Sequence, residues 1–228
     1  MLAALAPTPL AKRERRKDAR PGELLDAALD LFVEKGFAAT RAEEVAQRAG
    51  VSKGTLFLYF SSKEELFKEV VRRNISGRLL EWNAQFEAFE GSSADLLRLC
   101  MREWWTRLGA TRASGITKLM IGEARNFPEL AAFYQQEVIE PEQLLIRRIL
   151  QRGVDRGEFA PIDPKHGAYV VMAPLIFLQV WQHAQGACAG AGAAFRLEPD
   201  QYLEVLLQTM LHGLCASAAP TKRRRGRS

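Results

Sequence analysis

The sequence predicts an all-α protein, and three observations predict it. Apolar residues recur at spacings of three and four along most of the chain. Runs of β-branched residues are nearly absent. Three helix starts, with a tight turn between the first two, fall between Thr40 and Lys63. With 228 residues and 47% hydrophobic composition, the chain can build one large or two small domains around a real core, which excludes global disorder.

The elements follow in order. Pro21 suits a first helical turn, and Leu24, Leu25, Ala28, Leu31 and Phe32 form one stripe, so a first helix is expected from Pro21 to Lys35, ended by Gly36. Thr40, with Glu43 three residues on, has capping-box spacing for a second helix whose small apolar face is Val45, Ala46 and Ala49. Gly50 fits a left-handed C-terminal position. Ser52 caps a third helix from Lys53 to about Tyr59, and Ser62, with Glu65 three on, caps a fourth. Phe37, Val45, Val51, Leu56 and Phe60 are the expected small core. Two short helices joined by a glycine turn read as helix-turn-helix, whose second helix enters the DNA major groove.

The fourth helix is expected from Ser62 to about Phe89, with Gly77 and Gly91 marking bends or ends. Further helices are expected at 94–110, 115–126, 128–153, 164–186 and 199–216. Pro141 should kink or split the third of these. GVDRGEF should end it, Asp163 should cap the next, and GACAGAGAA at 186–194 should be a loop. The resulting division is a disordered basic leader (1–20), a helix-turn-helix domain (21–67), a larger helical effector-binding and dimerisation domain (68–216) and a basic tail (217–228).

On the third helix, Val51 and Leu56 point to the core, which leaves Ser52, Lys53, Thr55, Phe57, Leu58 and Tyr59 toward DNA. Lysine can donate to guanine O6 and N7, and threonine offers a hydroxyl or a methyl. Backbone N–H groups at a helix start attract phosphate. Gly54 lets the helix sit close to the groove, and Thr40, Arg41 and Lys63 flank it.

The stretch AEEVAQRAGVSKGTLFLYFSSKEELF resembles the N-terminal DNA-binding domain of the TetR/AcrR family of transcriptional regulators. The match runs from about Leu24 to Phe67. It includes AALDLFVEKGF, the turn AGVS, the segment KGTLFLYF and the opening SKEELF. Beyond Phe67 the resemblance is one of layout. It implies a homodimer on a palindromic operator, a small-molecule effector, and phosphate contacts from Tyr59 and Lys63. At Phe57 the family usually carries a tyrosine whose hydroxyl binds phosphate. Here that hydroxyl is missing, and the ring can instead touch a thymine methyl.

Charge supports the same reading. The net charge is +5, with +4 in residues 11–20 (AKRERRKDAR) and +5 in the tail TKRRRGRS, which leaves a mildly acidic body. Basic arms beside a helix-turn-helix suit phosphate neutralisation, or else serve as solubilising termini. Three scattered cysteines, Cys100, Cys188 and Cys215, argue against a disulfide framework and fit a reducing cytoplasm. The apolar leader MLAALAPTPLA has its charges after the apolar run, the wrong order for a secretory signal. The run from Ala168 to Val180 is too short to span a bilayer, so no membrane role is expected. The isolated residues His166, His183 and His212, and the lack of a nucleophile motif or phosphate loop, predict no enzyme, no cofactor and no metal site.

Met101, Trp104, Trp105, Met120, Glu123, Phe127, Tyr134, Phe177 and Trp181 are the candidate effector-binding set: apolar walls with a few polar anchors, although the same pattern describes helical cores. An aromatic-rich site would suit a lipophilic or amphipathic effector. The last two helices, YVVMAPLIFLQVW and YLEVLLQTMLHGLC, are apolar on more than one side and need cover, which a two-fold partner would supply. The expected function is a homodimeric, ligand-responsive DNA-binding regulator, a repressor released from double-stranded operator DNA by a small lipophilic effector. The alternative is a helical small-molecule carrier or protein-partner adaptor with a vestigial helix-turn-helix.

Overall fold

The computed structural model describes residues 9–185 and 197–214. The extreme leader, the small-residue loop, Cys188, Cys215 and the basic tail lie outside the described residues. Within them the regular structure is helical: α1 (Pro9–Ala39), α2 (Ala42–Arg48), α3 (Lys53–Tyr59), α4 (Lys63–Val71), α5 (Gly77–Glu87), α6 (Ser93–Trp104), α7 (Ser114–Glu123), α8 (Pro128–Tyr134), α9 (Glu140–Asp155), α10 (Pro164–Gln185) and α11 (Pro199–Leu214). The all-α expectation holds.

Two expectations about the ends of α1 meet different outcomes. Gly36 breaks the regular helix, with φ 83° and ψ 169°, a conformation open in practice only to glycine. The start, however, lies at Pro9 and not at Pro21, so residues 9–20 are helical and not a disordered leader. Lys, Arg, Glu and Ala, which fill this stretch, are strong helix formers, and their propensity outweighs the single proline.

Of three π-helical turns, Arg72–Ser76 and Gln135–Ile139 lie within otherwise continuous helical runs, and Trp105–Gly109 closes the run of α6. The third explains what happens at Pro141. A proline cannot donate to the carbonyl four residues back and its ring collides with it. The π turn ends at Ile139 and α9 begins at Glu140, so the wider turn absorbs the misfit and the run neither stops nor splits.

The chain forms two compact units. The first holds the residues up to Glu81 together with Arg107–Ile139, so the helix-turn-helix head shares a unit with α7 and α8 and does not close at Phe67. Its core is α1 packed on α2, α4 and α7, with α8 against α4. Leu24, Leu31, Phe32, Phe37, Leu56, Leu66 and Phe67 are fully buried there. Phe37 is the hub: its ring stacks on Phe32 (5.6 Å) and meets the edges of Phe67 (5.4 Å) and Phe127 (4.8 Å). The second unit holds Trp82–Thr106 and the residues from Glu140 on. In it α9 packs on α10 and α6, and α11 on α6 and α10, around Leu97, Met101, Ile149, Leu150, Leu175 and Leu178.

Candidate DNA-binding surface and effector cleft

The turn between α2 and α3 closes as the sequence predicts. Gly50 has φ 68°. Val51 N–H donates to Ala46 O (2.9 Å) and Gly50 N–H to Gln47 O (3.1 Å), the paired bonds of a Schellman end. Ser52 Oγ then accepts from Thr55 N–H (3.1 Å), and Ser62 Oγ from Glu65 N–H (3.1 Å), so both serines cap as expected. Leu56 and Phe60 anchor α3 to the core, with Val51 half-buried at its entrance. The α3 surface that faces away from this core carries Ser52, Lys53, Gly54, Phe57 and Leu58, all exposed, and the half-buried Thr55 and Tyr59. Arg41 is exposed at the head of α2.

Lys53 is engaged from the side. Its ammonium pairs with Glu43 of α2 and lies 5.8 Å from the Phe57 ring centroid. The hydrogen bond from Lys53 holds the Glu43 carboxyl below its ordinary range. Phe57 thus meets its own helix's lysine instead of offering a hydroxyl.

Two residues assigned to the DNA surface are structural. Thr40 is 1% exposed, and its hydroxyl donates to Gly36 O (2.7 Å) and Leu31 O (3.1 Å). It does not cap α2. That cap is Arg41, whose N–H donates to Glu44 Oε2 (3.3 Å), one residue later than the capping-box spacing suggested. The carbonyls freed by the break at Gly36 claim the threonine hydroxyl. Lys63 donates to Phe37 O (2.9 Å), Thr40 O (3.1 Å) and Ala38 O (3.4 Å), and sits 4.3 Å from the Phe37 ring centroid. An ammonium has three protons. Here they point to the carbonyls at the open end of α1.

The nine residues of the candidate effector set do not form one pocket. Met120, Glu123, Phe127 and Tyr134 belong to the first unit, and Met101, Trp104, Trp105, Phe177 and Trp181 to the second. In the first unit Met120 is buried core, and Tyr134 Oη is hydrogen-bonded with Thr117 Oγ1 (3.1 Å). Glu123 is a clamp: its carboxylate accepts from Phe37 N–H (3.0 Å) and Ala38 N–H (3.1 Å). Phe127 packs on Phe37. Both secure the DNA-binding head, because donors left at a broken helix end need an acceptor. In the second unit Met101, Trp104 and Trp105 are buried, and Phe177 stacks on Trp181 (5.8 Å) while half of it remains exposed.

A narrow apolar cleft does exist in the second unit, walled by Trp82 and Phe86 of α5, Leu96 and Leu99 of α6, and Leu145 and Ile149 of α9. Its free space, about 20 Å³, holds little more than one water-sized sphere. Cys100 and Glu103 also face it. Trp82 is 7% exposed, and its indole Nε1 has no hydrogen-bond partner among the described residues. An unpaired N–H of this kind leaves no mark in a sequence.

Beside this cleft lies a carboxyl that the sequence reading missed. Glu142 Oε1 accepts from Trp104 Nε1–H (3.1 Å). Burial raises its pKa from 4.5 to about 7, against the lowering effect of that hydrogen bond. Burial, with Glu142 nearby, likewise pushes the Cys100 thiol up to about 12, which makes it inert. The available signal was spacing: Glu142, Leu145 and Ile149 share one helix face, so an acid stands on an apolar stripe. Because the folded pKa lies above the unfolded one, the folded state holds the extra proton between about pH 4.5 and 7, and stability falls as pH rises through that window. Glu142→Gln removes this titration. The stability of the glutamine variant relative to the parent should therefore rise from pH 5 to pH 8, read as a widening gap in Tm. A gap that is constant with pH would show that Glu142 titrates normally.

A capped, exposed second helix after a glycine turn defines a helix-turn-helix DNA-binding protein. The comparisons agree. Residues 24–70 match the model for bacterial regulatory proteins of the tetR family, and residues 90–194 match that for the tetracyclin repressor-like C-terminal domain. The transcriptional regulator RutR of Escherichia coli (strain K12) is 30% identical over 176 residues, covering 71% of this chain and 74% of RutR. The transcriptional repressor KstR2 of Mycobacterium tuberculosis is 42% identical over 147 residues, 63% of this chain and 71% of KstR2. The fold is similar to that of FadR from Bacillus subtilis, solved in complex with stearoyl-CoA (TM-score 0.65, 15% identity, 84% of this chain and 98% of that one). The chain belongs to the TetR family of bacterial regulatory proteins. It is therefore a helix-turn-helix transcriptional regulator, a DNA-binding protein. Its relatives are transcriptional regulators, and no helix among the described residues is long and apolar enough to cross a membrane.

Proposed function

We propose that the chain is a repressor that reads its operator with α3 and is released by a lipophilic effector bound in the second unit. The observation that carries the first half is the exposed outer face of α3, held by the Schellman turn and the Ser52 cap. Ser52, Lys53, Gly54, Thr55, Phe57, Leu58 and Tyr59, with Arg41 beside them, are the contact residues. Thr40 and Lys63 shape the head that presents them. The apolar faces left open on α10 and α11, where Tyr169, Val170 and Val205 are 51%, 65% and 62% exposed, are the dimer surface.

The cleft beneath Trp82 supports the second half. Its walls suit an apolar body, and the unpaired indole N–H suits one hydrogen-bond acceptor such as a carbonyl or hydroxyl. KstR2 of Mycobacterium tuberculosis, similar in fold, is a ketosteroid transcriptional regulator, and a ketosteroid combines an apolar body with a carbonyl. Because the cleft is narrow, a ligand must spread α5, α6 and α9, and it shifts the protein only by favouring the spread state.

Selection of genome fragments with the purified protein, with and without lipophilic carbonyl compounds, tests the reading as a whole. A palindromic site released by such compounds is expected. Replacing both Lys53 and Thr55 by alanine should lower affinity for that site by about a hundredfold, since each good base contact is worth roughly 1–3 kcal/mol. Unchanged specific binding would overturn the assignment of α3.

A further inference from the structure

Leu58 is 83% exposed, more than any other large apolar side chain among the described residues. A lone exposed leucine is ordinary on a protein surface. This one stands one residue from the end of α3, on the outer face presented to DNA, beside the polar residues of the helix start. Ser52 Oγ accepts from Thr55 N–H and lies 2.9 Å from Thr55 Oγ1. The Lys53 ammonium is held by Glu43. Gly54, one turn before Leu58, carries no side chain, and a Cβ there would meet nothing nearer than Ser52 Oγ at 3.8 Å. The outer face of α3 thus pairs a step without a side chain at Gly54 with a leucine one turn on, flanked by the Thr55 side chain and the 40% exposed Phe57 ring.

In the major groove the one apolar group that a base pair presents is the C5 methyl of thymine. We infer that Leu58 is a specificity-determining residue that packs on a thymine methyl in each operator half-site, reached because Gly54 lets the helix close on the base edges. The inference rests on the assignment of α3 as the recognition helix. It adds a chemical consequence: part of the operator's identity is read as apolar surface. Cytosine methylated at C5, which carries the same methyl, would substitute at that position in part.

The experiment is a thymine-by-thymine replacement with deoxyuridine in the selected operator, which keeps every hydrogen-bonding group and deletes the methyl. With the parent protein, one position per half-site should lose about fourfold in affinity, the worth of one buried methyl-sized group, and about fifteenfold when both half-sites are changed. Leu58→Ala should bind the thymine operator about as weakly as the parent binds the deoxyuridine one, and should no longer distinguish the two. Because Leu58 is exposed, its replacement should leave Tm unchanged, which separates this effect from misfolding. Equal affinity of the parent for every deoxyuridine operator would overturn the inference. So would persistence of the deoxyuridine effect in Leu58→Ala, which would place the reader elsewhere. If the double replacement of Lys53 and Thr55 also leaves specific binding intact, the α3 assignment itself fails. If only the deoxyuridine result fails, that assignment stands.

Discussion

Phe37→Ala should destabilise the first unit by about 3–5 kcal/mol, the range for deleting a buried aromatic ring. Phe37 is 1% exposed and is in ring contact with Phe32, Phe67 and Phe127 at once. It also lies beneath the Lys63 ammonium. The cavity would open where α1, α4 and the start of α8 meet, and the surrounding rings are held by their own neighbours and cannot collapse to fill it. At roughly 2–4 °C per kcal/mol for a chain of this size, the melting transition should fall by about 6–20 °C. Operator binding should be lost at temperatures the parent tolerates. Phe37→Leu keeps most of the volume and should cost less than about 1.5 kcal/mol. Thermal melts of the three proteins decide the matter. A loss below about 1 kcal/mol in the alanine variant would mean that the ring cluster is not the hub of the head.

The head was the most legible part of the sequence. Gly50, Ser52, Ser62 and the inward positions Leu56 and Phe60 act through local spacing, and local spacing is written in the chain. Thr40 was misread, and the intrachain role of Lys63 was missed, for a physical reason. Polar residues beside a DNA-binding helix look like DNA contacts, and nothing local reveals that carbonyls around the glycine break at Gly36 need donors. The effector set was less legible still. Aromatic and methionine side chains mark burial equally well in a core or a pocket, so Glu123 and Phe127 were grouped with Trp104 although they secure the end of α1. Long-range partners such as Glu123 with Phe37, 86 positions apart, follow from tertiary packing alone. The unpaired Trp82 indole and the raised pKa of Glu142 likewise need the fold before they exist.

Gly36→Ala should be damaging for two independent reasons that meet at one carboxylate. At φ 83° and ψ 169° an alanine is strained by about 1–3 kcal/mol. Its Cβ would also overlap Glu123 Oε1, which accepts from Phe37 N–H (3.0 Å). Glu123 must then withdraw, leaving the Phe37 and Ala38 N–H groups without their acceptor. The half-buried one of these costs about 1–3 kcal/mol when unsatisfied. A total of about 2–6 kcal/mol is expected, with weaker operator binding because the segment from Gly36 to Thr40 sets where α2 and α3 begin. Glu123→Ala alone should reproduce only the lost hydrogen bonds. The two changes share that loss, so the double variant should be less destabilised than the sum of the single ones by roughly 1–2 kcal/mol, as neighbours in one network behave. Chemical denaturation of the four proteins of the cycle measures this directly. Simple additivity would show that an alanine at position 36 does not displace the Glu123 carboxylate.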